Sequence, residues 1–365
     1  MYNTSKRLFL ARTLRTLAAF AAGAAFSLPF SDVAQAQQAV AGKHFAYLTP
    51  GLDLPFWRIV GKGVTDSIKA QGGTVTIYDS HNDASTQLKN AQDAVSQGVA
   101  GIVISPTDSS TAPSVLQIAA RAKIPVVIAD IGTNSGDYVS FISSENEKGA
   151  YETGKKLAEV MKQKGWDKGG YGISSISLAR QNGKLRTEGF RRAMKEAGIK
   201  EVALNQMQRY TADETFRFVQ DMITAHPDIH GVFVQTDSPT LGAARAIQVA
   251  HKQSDIALVA FDGIPQFVDM IKDGTLTASG MQQPFLMGQK AGGALLDHLA
   301  GKEPPKSIVV PVVVVSKDNL DKELPVITQS VFGGELKSWG ADLARDCCSG
   351  GHCQLTEIGT ARRQV

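Results

Sequence analysis

The sequence predicts an α/β protein made of two doubly wound parallel-sheet lobes. Three observations carry this reading. From Lys43 onward, short β-rich runs alternate with longer helical patterns. The β-rich runs are nearly continuous apolar stretches rather than alternating ones, which is how strands buried on both faces read. The rhythm also occurs twice, over 43–142 and again over 150–280. Buried strands separated by helices at this spacing form βαβ units with right-handed crossovers.

The elements follow in order. HFAYLT (44–49) precedes a helix with Val60, Val64 and Ile68 on one stripe. TVTIYDS (74–80) leads to a helix bearing Leu88, Ala91 and Val95, GIVIS (101–105) to Val115–Ala122, and PVVIAD (125–130) closes the first series. Phe141 to Ser144 forms the join, without the composition of a flexible tether. In the second series YGISSIS (171–177) precedes a helix around Thr187–Ala197, followed by EVALNQM (201–207) and a helix over Phe216–Ala225. GVFVQTD (231–237), a helix over Gly242–Ala250 and ALVAFD (257–262) complete it. A further helix (Gly288–Leu299) and the run IVVPVVVV (308–315), read as one strand, are expected to complete both lobes, so that the connection has several strands.

The first 36 residues stand apart. Lys6, Arg7, Arg12 and Arg15 precede a short alanine-rich apolar stretch (16–30) and Ala34-Gln35-Ala36, the pattern of a cleaved secretory signal. The stretch is shorter than the roughly 20 residues that span a bilayer, so an exported protein without membrane insertion after cleavage is expected. Residues 1–36 hold those four basic residues and one acid, Asp32, a net of +3. The whole chain is also +3, which leaves the remainder near neutral. A neutral body with dispersed charge offers no footprint to nucleic acid. The three cysteines, Cys347, Cys348 and Cys353, lie near the C-terminus beside His352; their crowding on a Gly/Ser-rich tail does not match zinc-site spacing. No metal or cofactor is expected, and 341–365 reads as a disordered tail.

Open α/β sheets bind ligands outside the carboxyl ends of their strands. Three apolar runs end there in aspartate: Asp130, Asp237 and Asp262. Any one of them is as readily a helix cap, but three in one chain point to a shared acidic cleft. A carboxylate accepts two hydrogen bonds at once, which suits neighbouring hydroxyls or a cation. Phe56 and Trp57 follow the first strand, where an aromatic plate can stack on the C–H face of a sugar. Trp57 fits the core stripe, being three and seven residues before Val60 and Val64; Phe56, about 100° away on the helix, does not. Tyr210, after EVALNQM, is a candidate plate from the second lobe. No HExxH, GxSxG, P-loop or dinucleotide-binding glycine motif occurs. Nothing recommends an enzyme.

These residues, in this order, resemble the periplasmic sugar-binding proteins of ABC importers, of the ribose-binding type. LPFW (54–57), GIVISPTDSS (101–110), IPVVIAD (124–130), LRTEGFRRAM (185–194), TAHPDIHGVFVQTD (224–237) and LVAFDG (258–263) carry the resemblance, which covers about Lys43 to Asn319. It implies two lobes with a three-stranded hinge, closing on a solute. The lobes would be 43–143 with 283–311 and 144–282 with 312–340. By position, Phe56 and Trp57 are similar to the family's stacking aromatics, Asp130 and Asp262 to its hydroxyl-binding carboxylates, Tyr210 to its second-lobe aromatic and Gln282 to its hinge glutamine. Leu54 stands where the family often has Asn, and Ile131 where it has Arg. Lys184 replaces a second Arg and Thr236 an Asn. Two guanidinium forks would thus be lost, and Arg58 is expected to turn into the cleft to supply a cation. The resemblance implies a monomeric periplasmic receptor that takes a monosaccharide or sugar alcohol and delivers it to ABC permease subunits. A sensory module for a chemoreceptor or histidine kinase is the alternative.

Overall fold

The computed structural model describes residues 40–334. The expected signal segment and the 341–365 tail with its cysteines lie outside the described residues. The first lobe is built from β1 (His44–Thr49), α1 (Pro55–Lys69), β2 (Thr74–Asp79), α2 (Ala84–Ser96), β3 (Ile102–Ile104), α3 (Ala112–Arg121), β4 (Val126–Ala129) and β5 (Ser140–Ser144). The second contains α4 (Asn146–Gln163), β6 (Gly170–Ser175), α5 (Gln181–Ala197), β7 (Lys200–Gln206), α6 (Ala212–Ala225), β8 (Ile229–Val234), α7 (Asp237–Val249), β9 (Ala257–Phe261), α8 (Gln266–Asp273) and β10 (Ala278–Met281). Then come α9 (Pro284–Leu299), β11 (Ser307–Val310), β12 (Val313–Ser316) and α10 (Leu320–Ser330).

The strand orders are β11-β5-β4-β3-β1-β2 and β12-β10-β9-β8-β6-β7. Pairing is parallel throughout the first sheet. In the second only β12 runs antiparallel, against β10. The central strands are completely buried, as their apolar runs require. In each sheet the order reverses beside the first strand of the lobe, β1 or β6, and such a switch point opens a crevice at the strand ends.

IVVPVVVV is not one strand. The chain leaves the first sheet after Val310 and enters the second at Val313. Pro311, which has no amide N–H for a ladder, sits at the crossing. The lobes are also joined at Glu145, between β5 and α4, and at Gln282–Gln283, between β10 and α9. These crossings are tied to each other: Glu145 N donates to Val310 O (3.1 Å) and Gln283 Nε2 to Pro311 O (2.8 Å).

Helix α1 places the first aromatic pair. Pro55 stands in its first turn, where a missing N–H costs nothing. Its backbone runs close to that of α9: a Cβ on Gly63 would lie 2.3 Å from Phe285 O, and one on Gly288 2.2 Å from Val60 O. Only glycine permits this approach, and it fixes the angle at which α1 enters the cleft.

Candidate functional site

The site forms where the C-terminal strand ends of the two sheets face each other. Asp130 follows β4 and Asp262 follows β9. Both adopt a left-handed backbone, with φ of 67° and 66°, a conformation in which Asp is among the better tolerated residues. Each is fixed by its own N–H, donated across the sheet to Ile142 O (2.8 Å) or Gly280 O (3.0 Å). Asp262 is held on both oxygens. Gln282 Nε2 donates to Oδ1 (2.7 Å), while Thr236 Oγ1 (3.1 Å) and Arg186 Nη1 (3.4 Å) donate to Oδ2. Asp130 accepts from Asn182 Nδ2 of the opposite lobe (2.8 Å) on Oδ2. Its Oδ1 and the Oε1 of Gln282 are buried acceptors without a hydrogen-bond partner.

These groups line a small cavity between the lobes, of about 20 Å³. One wall is Leu54, Phe56 and Trp57, whose two rings meet edge to face at 4.8 Å and 88°. The other is Ile176 and Tyr210. Leu54, Trp57 and Tyr210 also line a wider outer space of about 270 Å³, so they divide the interior from the cleft mouth. Tyr210, itself at φ 56°, is set by Glu214, which accepts from the N–H groups of Gln208, Arg209 and Tyr210 at 2.9–3.0 Å.

Two guanidinium groups line the cavity. Arg186 is only 2% exposed. Its donors go to Asn146 Oδ1 (2.8 Å), Gln235 O (2.7 Å) and Asp262, and Phe261 lies 4.2 Å beneath it. Arg180, 4% exposed, stacks over the Tyr210 ring at 4.8 Å. The expected loss of both forks is therefore corrected. Sequence reasoning missed Arg180, Asn182 and Arg186 because α5 begins six residues before the expected Thr187, at Gln181.

Of the residues singled out in the sequence, Phe56, Trp57, Asp130, Tyr210, Thr236, Asp262 and Gln282 line this one cavity. Asp237 is fully buried behind it; its Oδ2 accepts from Phe56 N across the cleft (3.3 Å) and its Oδ1 from Ser238 N (2.7 Å). Lys184 is exposed and lines no part of the cavity. Two residues along a helix is a rotation of about 200°, so Asn182 and Arg186 face the cleft and Lys184 faces water. Arg58 is also exposed, donating to the carbonyls of Leu52 and Asp53, and it is not among the residues that line the cavity.

Burial dominates the electrostatics. It pushes the Asp130 carboxyl up to about 6, against the opposing pull of Arg186. Asp237 rises to about 7, first through burial and then through the nearby charge of Asp262. Among the described residues no group of His, Cys, Asp and Glu could hold a metal ion.

Two parallel-sheet lobes, three crossings and a polar cavity with aromatic walls between them define the class of two-lobed solute-binding proteins. The chain belongs to the family described as periplasmic binding protein domain, whose model matches residues 45–303. It is 32% identical over 277 residues to the ribose import binding protein of Salmonella typhimurium, covering 76% of this chain and 90% of that one. It is 28% identical over 248 residues to the D-apiose import binding protein of Actinobacillus succinogenes, covering 67% and 78%. Among solved structures, an ABC transporter solute-binding protein of Agrobacterium vitis with bound D-fucose is similar at a TM-score of 0.69 and 27% identity, covering 76% of this chain and 97% of that one. A carbohydrate transporter solute-binding protein of Agrobacterium radiobacter in complex with D-arabinose shares the fold, with a TM-score of 0.73 at 23% identity over 79% and 98% of the two chains. The family consists of transport receptors, not enzymes. Among the described residues no helix is long and apolar enough to cross a membrane.

Proposed function

We propose that this protein captures a monosaccharide or sugar alcohol between its lobes and presents the closed form to an ABC-type permease. One observation carries the reading: Asp130 Oδ1 and Gln282 Oε1 are buried, accept no hydrogen bond from the protein, and belong to residues that line the cavity. An unsatisfied buried acceptor costs roughly 1–3 kcal/mol, and a hydroxyl-rich solute supplies the missing donors. Phe56, Trp57 and Tyr210 supply apolar plates for the C–H faces of a sugar ring. Asp262, already held by three donors, receives or orients one hydroxyl, and Asp130 receives another from the opposite lobe. A ligand that bonds both carboxylates binds only the closed arrangement, so it shifts the hinge equilibrium by that difference in affinity. The same reading takes the protein as an exported, signal-cleaved monomer.

A calorimetric and thermal-shift panel of D-ribose, D-allose, D-apiose, D-fucose, D-arabinose, glycerol and sorbitol tests it. A solute at a thousand times its Kd raises stability by about 4 kcal/mol. If every carbohydrate in the panel leaves the melting curve in place, the sugar reading fails.

A further inference from the structure

Arg180 belongs to the second lobe, yet the two of its donors that bond protein acceptors are spent on the first. Nε donates to Thr107 O (2.8 Å) and Nη2 to Asn82 Oδ1 (2.9 Å). A neighbouring bond runs the same way, from Gln181 N to Ser109 Oγ (3.2 Å). Arg186 behaves oppositely, keeping its bonds within the second lobe, to Asn146, Gln235 and Asp262.

The receiving groups are held in place without reference to a ligand. Thr107 N donates to Gln87 Oε1 (2.9 Å), and Gln87 in turn donates to Ser105 O (3.0 Å). Asn82 has a left-handed backbone (φ 58°), its N–H is bonded to Pro50 O (2.6 Å), and the next residue caps α2 by accepting from Thr86 N (2.6 Å). On the other side Tyr210 supports the guanidinium face. A charge-assisted bond between pre-set partners is among the stronger polar contacts, and here it forms only when the lobes meet.

We propose that Asn82, outside the cavity, is the positioning residue for Arg180, and that the pair is a latch holding the lobes together before any solute arrives. The latch has two consequences. The binding-competent closed form is populated in the free protein, which raises apparent affinity by the closed fraction. The Arg180 guanidinium is also already in place on the cavity wall when the ligand enters.

The test reads lobe separation in the ligand-free protein. Spin labels go on Lys89→Cys (first lobe) and Arg217→Cys (second lobe), both exposed, in a full-length chain with Cys347, Cys348 and Cys353 replaced by serine. Asn82→Gly removes the acceptor while keeping a backbone that tolerates positive φ. Asn82→Asp restores an acceptor of the same reach. The expected result is a distance distribution with a distinct short, closed population in the ligand-free parent. The closed-to-open ratio falls about tenfold in Asn82→Gly, the loss expected for one bond to a charged group, and the short population returns in Asn82→Asp. A parent-like distribution in Asn82→Gly, or failure of Asn82→Asp to restore it, overturns the latch. Since no solute is present, either outcome is independent of whether a sugar binds.

Discussion

Asp130 and Asp262 occupy matching places in the two lobes, after β4 and after β9, with the same left-handed backbone and the same cross-strand anchor. Their side chains have opposite fates. Asp262 has both oxygens engaged by Arg186, Thr236 and Gln282. Asp130 has one oxygen on Asn182 and the other without a partner. The repeated fold supplies the position of a carboxylate; its neighbours decide whether both of its oxygens are satisfied within the protein. The second lobe is pre-organised around its acid, and the first lobe carries its acid at a cost to the unliganded state.

The largest break in this comparison comes from Asp262→Ala. It leaves Arg186, 2% exposed, without its ion-pair partner, and removal of one partner of a buried pair costs about 3–5 kcal/mol. Urea unfolding of the ligand-free protein should show that loss; a change within experimental scatter would break the contrast. Asp130→Asn is expected to do the reverse. It should stabilise the free protein at pH 7.5 by roughly 1–3 kcal/mol, since burial raises the Asp130 carboxyl to about 6 and the ionised form is disfavoured. It should also weaken binding of whichever panel sugar gives the largest thermal shift by about 10–100-fold.

The pH dependence follows from the same carboxyls. Asp130 and Asp237 are raised to about 6 and about 7, above the ordinary value of about 3.9 for an unfolded chain. Between those limits the native state binds more protons than the unfolded state, so stability of the free protein falls as pH rises through about 4 to 7 and then levels. Urea midpoints at about pH 5 and pH 8 should show this decline, and Asp130→Asn should flatten part of it. The smallest expected effect sharpens the geometry: Lys184→Ala, on the water-facing side of α5, should change stability by less than about 0.5 kcal/mol and sugar affinity by less than about twofold.

Much of the fold could be read from the sequence because parallel strands buried on both faces leave uninterrupted apolar runs, and the points where those runs stop are where the aspartates stand. Phe56 and Trp57 were readable for a related reason, since adjacent helix positions cannot both follow one core stripe. The start of α5 was not. Its N-cap is Arg180, which makes no capping hydrogen bond, so the usual Ser, Thr, Asp or Asn signal is missing. A signal did exist: Asn182, Arg186 and Phe190 are spaced by four, one stripe running from the core into the cleft, whereas Lys184 is out of phase with Phe190. The division of IVVPVVVV depends on which sheet has a free edge, information that a local apolar run does not contain.

The three crossings have a consequence for the order of folding. The edge strand of the first sheet, β11, is made only after the whole of the second lobe's parallel sheet, and β12 follows it. Neither sheet is complete until nearly all of the described chain has been synthesised. Folding domain by domain from the N-terminus, the usual course for larger chains, is therefore unable to finish the first lobe early. Pairing β5 with β11 joins Ser140–Ser144 to Ser307–Val310, a contact of long sequence separation that is slow to form. A nascent chain of this topology stays incompletely folded until its C-terminal third appears.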